Sequence, residues 1–328
     1  MTGFPRFWLR RGPAAALLLP AGLVFFFVSW VRRALHELGL LPQTRVRVPV
    51  IVVGNLVAGG TGKTPVVIAL VAALRAAGFK PGVISRGYGG SATHVMSVSP
   101  ATDAAIAGDE PVLIARRAAC PVWVGRSRAE AAEALLATDP ECNVIVSDDG
   151  LQHYALARAL EIAVFDERGI GNGWPIPAGP LREPVSRLAN VDFLLYQGAE
   201  HAPVPHAQAF GFRLAGDTFH RVGDSAQTKT ARDFVGSRVA AIAGIGNPHR
   251  FFAQLQTLGI DAEGRAFPDH HVFVASDLEF PETDVIMMTE KDAVKCEGLT
   301  AAACWALRVD AELPDVVVRR VLEKLNGP

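Results

Sequence analysis

The chain has 328 residues, 50% of them hydrophobic and 20% charged, with a formal net charge of −1. So even a charge balance excludes a chain held to nucleic acid by bulk electrostatics, and the length leaves room for two domains. The four cysteines (Cys120, Cys142, Cys296, Cys304) are scattered without a C-x-x-C pair, which argues against a zinc site or a disulfide framework and for a reducing compartment.

Pro13 to Val31 contains no charged residue, and a run of that length approaches the ~20 residues that cross a bilayer as a helix. Arg6, Arg10 and Arg11 precede it, Arg32 and Arg33 follow it, and Trp8 and Trp30 fall where interfacial aromatics sit. Arginines at both ends leave its orientation open. A cleaved signal peptide lacks a clear A-x-A site here, and a buried core helix is the soluble alternative. The reading adopted is a membrane anchor, with Pro20 and Gly22 leaving room for a kinked insertion that does not span.

Val50 to Val53 is a continuous apolar run, the pattern of a buried parallel strand. A glycine-rich loop, Gly62-Lys63-Thr64 and an apolar helix from Val66 to Ala77 follow, with Pro65 in the first turn and Gly78 at the end. Strand, loop, Lys-Thr and helix form a P-loop. The backbone of Gly59, Gly60, Thr61, Gly62, Lys63 and Thr64 suits the phosphates of ATP, Lys63 reaches the β/γ-phosphates, and the Thr64 hydroxyl suits Mg²⁺. Val57 stands where the generic motif has its first glycine.

Pro81 to Ser85 reads as the next strand, and Arg86, in the glycine turn after it, is either placed to meet an anion at the strand's carboxyl end or simply solvated. Asp109, in Gly108-Asp109-Glu110-Pro111, is a helix N-cap or a catalytic carboxylate before a helix from Val112 to Ala119. After a short strand, Val122 to Val124, Ser127 and Glu130 have capping-box form and open a helix to Ala137. Arg126 and Arg128 gain nothing from that helix's dipole, which favours a ligand role for one of them. Asn143 to Ser147 is a buried strand ending in Asp148-Asp149, the usual place for a second Mg²⁺-organising group; His153 suits a phosphate contact or the surface. Glu161 to Phe165 is a strand with Asp166 at its end, and the Gly/Pro-rich run from Gly169 to Pro184 is an ordered loop or a linker closing on Arg182-Glu183. Asp192 to Tyr196 closes the first sheet.

His201 to Gln208 is loop-like, and Ala209 to Leu214 with Thr218 to Val222 form a ribbon. A second unit then begins: strand Val239 to Ala243, loop Gly244-Ile245-Gly246, Asn247 as N-cap and Pro248 as first residue of a helix to Leu258. This G-x-G lacks the third glycine of a dinucleotide fingerprint. In Pro268-Asp269-His270-His271 a carboxylate stands ready to orient a histidine. Val285 to Met288 is a strand, Thr289 to Asp292 starts a helix that places Lys291 as a second phosphate contact, and Val316 to Leu325 is a last amphipathic helix. The fold expected is α/β: an N-terminal membrane helix (1–36), a P-loop NTPase-like parallel-sheet domain (37–205) and a smaller second α/β domain (206–328), whose last helix is free to pack back on the core.

Eight motifs, in order, then carry a resemblance: GNLVAGGTGKTP from Gly54, SRGYGG from Ser85, GDEP from Gly108, SDDGLQH from Ser147, PAGPLREP from Pro177, AGIGNP from Ala243, PDH from Pro268 and TEKDAVK from Thr289. Together they resemble the tetraacyldisaccharide 4′-kinase family of Gram-negative bacteria, whose loop also reads with Val57 in place of glycine. The resemblance implies transfer of the ATP γ-phosphoryl group to the 4′-hydroxyl of a tetraacylated disaccharide 1-phosphate. The product is lipid IV A, made for lipopolysaccharide at the cytoplasmic face of the inner membrane. Phosphoryl-transfer logic then gives Lys63 the phosphates, and Thr64 with Asp148 or Asp149 the Mg²⁺. The resemblance makes Asp109 the acceptor of the hydroxyl proton, backed by His270, itself oriented by Asp269. It leaves Arg86, Arg128, Gln152, His153, Arg182 and Glu183 for the anionic sugar. Asp109 and His270 lie in different units, so the pair is expected to form on domain closure, which keeps water out. The partners implied are the lipid substrate and the membrane, with no nucleic acid and no obligatory protein partner. The alternative is a membrane-attached P-loop ATPase acting as a nucleotide switch, which has no evident use for the Arg182-Glu183 loop or the distant Asp-His pair.

Overall fold

A computed structural model describes residues 5–300 and 302–327. The strands of the first half are β1 (Val50–Gly54), β2 (Pro81–Ser85), β3 (Met96–Val98), β4 (Val122–Val124), β5 (Val144–Asp148), β6 (Leu160–Phe165), β7 (Phe193–Tyr196) and β8 (Ala209–Gly211). They form one sheet in the order β3-β4-β2-β5-β1-β6-β7-β8, parallel throughout except at the outer β3–β4 pair. The helices of this half are α1 (Pro13–Glu37), α2 (Lys63–Ala76), α3 (Ala104–Ala107), α4 (Asp109–Ala118) and α5 (Arg128–Thr138). Successive residues of a strand point to opposite faces. Ile51 and Val53 of β1 therefore join α2 and α4 in one apolar layer, while Val50 and Val52 join α5 in the other. With both faces covered, β1 has no polar alternation to show.

The second half contains β9 (Arg213–Ala215), β10 (Thr218–Arg221), β11 (Asp224–Thr230), β12 (Val239–Ala243), β13 (Ala262–Ala266), β14 (Val285–Thr289), β15 (Ala303–Leu307) and β16 (Asp310–Glu312), with α6 (Pro248–Thr257), α7 (Glu290–Cys296) and α8 (Asp315–Asn326). Its main sheet runs β11-β10-β15-β14-β12-β13, and β9 pairs with β16 in a two-stranded ribbon. The stretch from residue 206 onward does not serve one unit alone. β8 extends the first sheet, and Val317 and Val321 of α8 are buried in the first unit's core with Val66 and Val67 of α2.

α1 is long and apolar enough to cross a membrane, with a mean hydropathy of 2.2 over its best window and only 11% of that window buried. That exposure overturns the buried-core-helix alternative. Leu23, Val24, Phe27, Val28 and Trp30 face outward. Gly22 rests on the Gly/Pro-rich run, where a Cβ would stand 2.8 Å from Pro175 Cγ. The same run receives Trp8 Nε1–H at Pro177 O (2.9 Å) and Arg11 Nε–H at Asn172 O (3.0 Å). It is an ordered socket for the N-terminal segment and not a linker.

Candidate active site

β1 lies between β5 and β6, so the chain reverses direction across the sheet there. Ligands bind at such switch points, beyond the carboxyl ends of the strands. The P-loop leaves β1 at this place. Gly62 takes φ 85° to open α2, a left-handed conformation that costs glycine nothing. Asn55 Nδ2 braces the loop on Gly59 O and Thr61 Oγ1, both at 3.2 Å. Gln197 Nε2 donates to Thr61 O (3.1 Å), and Arg168, paired with Asp166, donates to Gly60 O. From the second unit, Gly246 packs so tightly that a Cβ would stand 2.9 Å from Gly60 N. The short glycine loop after β12 is thus a contact for the phosphate loop. Its neighbour Asn247 makes no capping bond; its Nδ2 donates to Glu167 Oε1 at 2.9 Å instead. A cavity of about 190 Å³ lies between the units, walled by Gly60 to Pro65, Arg250, Phe251 and Lys291.

Lys63 is buried, with its Nζ 3.5 Å from Asp149 Oδ1. Arg182 NH1 donates to both oxygens of Asp149, at 3.2 and 3.1 Å. Burial would raise the Asp149 carboxyl, but Lys63 and then Arg182 outweigh it and hold the group well below the usual carboxylate range. Asp148 is the opposite case. Full burial, with Glu110 and Asp149 nearby, pushes it up to about 7. Its Oδ2 accepts from Ser85 Oγ at 3.4 Å, and its Oδ1 is buried with no partner. Two adjacent carboxylates beside the P-loop lysine, one oxygen orphaned, are a donor set that fits a hard, oxygen-seeking cation. Among the described residues no three His, Cys, Asp or Glu side chains cluster as a metal cage, so phosphate oxygens and water would complete such a site.

A second cavity, of about 560 Å³, holds the other expected residues. Arg32, Arg86, Arg126, Arg128 and Arg182 line it against Glu110, Asp149 and Glu183, and Phe25, Ser29 and Arg32 of α1 form one wall. Glu110 lines both cavities. The six sugar-binding candidates meet here, but not as six open hands. Arg86 is exposed. Arg128 is buried, and its NH2 donates to Asp148 O and Asp149 O at 3.1 and 3.3 Å; burial brings it down to about 10, against the pull of Asp148. His153 Nε2 accepts from Arg128 N at 3.1 Å. Burial and the Arg128 charge hold this ring down at about 4, so it is neutral at physiological pH. Glu183 is buried, accepting from Gln152 Nε2 (3.0 Å) and Tyr154 OH.

Asp109 and His270 are brought together across 161 residues, with His270 Nδ1 3.1 Å from Asp109 Oδ2. Asp109 opens α4 from Gly108 and is not itself the N-cap. The ring's hydrogen-bonded carboxylate is Asp109, while Asp269, expected to orient the ring, stands farther off with Oδ1 3.8 Å from Nε2. Asp269 is held by Lys291 (3.1 Å) instead, and holds the His270 backbone N–H (3.1 Å). Burial raises the Asp109 carboxyl, but the His270 hydrogen bond, Lys291 and Lys295 together bring it below its ordinary value. Lys295, 3.7 Å from Asp109 Oδ2, escaped the sequence reading although it closes the TEKDAVK motif. Tyr88 joins the pair to the second cavity, which it lines, with its ring edge-on to His270 at 4.9 Å.

A P-loop at the switch point of a parallel sheet, with paired carboxylates beside its lysine and an acid–histidine couple where the two units meet, defines an α/β phosphotransfer protein. Comparison with known proteins narrows this. The family model described as tetraacyldisaccharide-1-P 4′-kinase (LpxK) matches residues 14–326. The tetraacyldisaccharide 4′-kinase of Azoarcus sp. (strain BH72) is 52% identical over 99% of this chain and 96% of that protein. That of Dechloromonas aromatica (strain RCB) is 51% identical over 97% and 95%. The crystal structure of LpxK from Aquifex aeolicus in complex with ATP aligns with a TM-score of 0.81 at 26% identity, covering 95% of this chain and 99% of that one. The chain belongs to the tetraacyldisaccharide-1-phosphate 4′-kinase family.

Proposed function

We infer that this chain carries out the reaction its family is named for, moving the γ-phosphate of ATP to the 4′-hydroxyl of tetraacyldisaccharide 1-phosphate in lipid A synthesis. The observation that carries the reading is the second cavity. Its arginines suit an anionic sugar, α1, whose outward side is apolar, forms one wall, and Glu110 joins it to the cavity beside the P-loop. A nucleotide switch needs no such acceptor site.

In this reading ATP lies on the P-loop, with Gly59 to Gly62 offering backbone N–H groups and Lys63 neutralising the β/γ-phosphates. Thr64, Asp148 and Asp149 would hold Mg²⁺, which would neutralise charge on the phosphate oxygens. Arg86 and Arg182 face the acceptor's anionic groups, while Arg128, Gln152, His153 and Glu183 shape the wall behind them. Asp109 receives the hydroxyl proton. A carboxyl below its ordinary value is a weak base, which suffices where the transition state is loose and the proton moves late; its larger task is aiming the hydroxyl. The outward apolar side of α1 holds the protein in the inner membrane, with the site at the cytoplasmic face where ATP is found.

The test is transfer of labelled γ-phosphate from ATP·Mg²⁺ to the disaccharide 1-phosphate in mixed micelles, wild type beside Lys63→Ala. Transfer abolished by the substitution supports the reading. ATP hydrolysis without lipid phosphorylation, in folded wild type, would overturn it.

A further inference from the structure

The Asp109–His270 pair has a third partner that the reaction scheme leaves unused. Lys291, at the start of α7, places its Nζ 3.1 Å from Asp269 Oδ1, 3.2 Å from Glu110 Oε1 and 3.5 Å from His270 Nε2. Asp109 Oδ2 lies at 3.9 Å. An ammonium has three N–H donors and no acceptor. Asp269 and Glu110 take two of them, and the third faces Nε2. A ring nitrogen that faces an N–H donor must present its lone pair. The ring hydrogen of neutral His270 then belongs on Nδ1, 3.1 Å from a carboxylate oxygen that needs a donor. Asp269 does not pull the hydrogen to Nε2. It lies 3.8 Å away, and its Oδ1 already accepts from Lys291 and from the His270 backbone.

We propose that Lys291 is a positioning residue that fixes the His270 tautomer, so that Nδ1–H donates to Asp109 and Nε2 accepts from the lysine. This rests on the reading of Asp109 as the group that meets the acceptor hydroxyl. One consequence separates it from a relay. With Nδ1 already carrying hydrogen, the proton leaving the acceptor hydroxyl stops on the Asp109 carboxylate. His270 orients and does not shuttle. A second consequence concerns assembly. Glu110 comes from the first unit, and Lys291, Asp269 and His270 from the second, so Lys291 sets the tautomer only where the two units meet.

The experiment is nitrogen NMR of the histidine rings in the full-length, isotope-labelled protein in detergent micelles, with His270 assigned by loss of its signals in His270→Gln. The expected wild-type ring carries hydrogen on Nδ1 and none on Nε2. Lys291→Met, which frees Asp269 beside the ring, is expected to put hydrogen on Nε2 and to lower turnover by about tenfold or more. Lys291→Arg, which keeps an N–H donor, is expected to restore the Nδ1–H signature. A wild-type ring with hydrogen on Nε2 would overturn the proposal even if every variant failed to fold, as would a Lys291→Met ring unchanged from wild type. Turnover of Asp109→Asn is measured beside these. Normal turnover there would sink the role of Asp109, while the ring signature would still decide the role of Lys291.

Discussion

Replacing Asp109 by asparagine removes one charge and almost no volume. Oδ2 meets His270 at 3.1 Å and Oδ1 the Glu110 backbone N–H at 2.9 Å, so the single amide oxygen can keep one of these bonds and the NH2 falls at the other. Also lost is the attraction to Lys295 at 3.7 Å and Lys291 at 3.9 Å. At an effective dielectric near 20 each contact is worth roughly 4 kcal/mol before desolvation. Most of this does not reach stability. Burial of the carboxylate costs free energy that the variant recovers, Lys291 keeps Glu110 and Asp269, and Lys295 keeps Asp292 at 2.9 Å. The fold should weaken by under ~2 kcal/mol. Turnover should fall much further, by about 10²- to 10⁴-fold, the range for a positioned proton acceptor, or roughly 3–5 kcal/mol of barrier. The assay is initial-rate phosphorylation of the disaccharide in mixed micelles at saturating ATP, with urea melts run in parallel. The melts carry their own signature. A carboxyl held below its ordinary 3.8 stabilises the fold above that pH, and the contribution is lost as pH falls through the folded value. The gap between wild type and variant should therefore be flat from neutrality to about pH 5 and close in stronger acid. Turnover within about threefold of wild type would refute the assignment, since that is under 1 kcal/mol.

Three further outcomes follow from other contacts. Asp148, pushed up to about 7, costs the metal-free fold stability once ionised. Asp148→Asn should then raise the melting temperature at pH 8, with the gain fading as pH falls through 7 towards 4, and should abolish the rise that Mg²⁺ gives wild type; a pH-independent gap would count against this account. Gly246→Ala sets a Cβ 2.9 Å from Gly60 N, so the glycine loop should lift off the phosphate loop and cost about tenfold or more in kcat/KM for ATP, with an unchanged kcat/KM contradicting the docking. Leu23, Phe27 and Val28 are 57%, 63% and 59% exposed. Changing all three to serine removes roughly 1.5–3 kcal/mol of membrane burial per side chain and should move the protein from the membrane fraction to the soluble one, unless α1 is not the anchor.

What could be read from the sequence tracks how locally each feature is encoded. β1, the P-loop and α2 are contiguous, and their apolar runs and glycines say what they do. β12 falls on the expected residues because a strand buried on both faces is a plain hydrophobic run, and β2 and β4 do so on shorter apolar centres, Val83-Ile84 and Val122 to Val124. β13 does not, since Ala-Glu-Gly-Arg-Ala at the sheet's edge alternates but has no bulky apolar residue to mark a buried face, and its Gly264 makes room for the Phe252 ring of α6. β11 is a polar, mostly exposed edge strand and is silent for the same reason. Asn247 has the right residue type for a cap, but its amide is drawn off to Glu167, from a segment 80 residues away. The site divides in the same way. Lys63 and Asp149 follow from motif logic, whereas the pairing of Asp109 with His270 came through family resemblance. No spacing rule places Lys291 between Glu110 and Asp269, because those contacts span 181 and 22 residues.

Backbone strain marks where the sequence yields to the site. Among the described residues four that are not glycine have positive φ, and two of these are Asp149 (φ 47°) and His270 (φ 59°). Such a conformation costs about 1–3 kcal/mol per residue and persists only where surrounding contacts over-determine it. Lys63 and Arg182 fix the Asp149 carboxylate, while Asp109 holds the His270 ring and Asp269 its N–H. For Asp149 the partners lie in its own unit, so its strain is met whether or not the units touch. For His270 one partner is in the other unit. Separating the units would remove the Asp109 contact and leave the strain, so an open form would be penalised at this histidine. A cycle of opening and closing would on this account keep the phosphate loop and its carboxylates in place throughout and complete the acid–histidine pair only on closure, the order that would spare ATP from water.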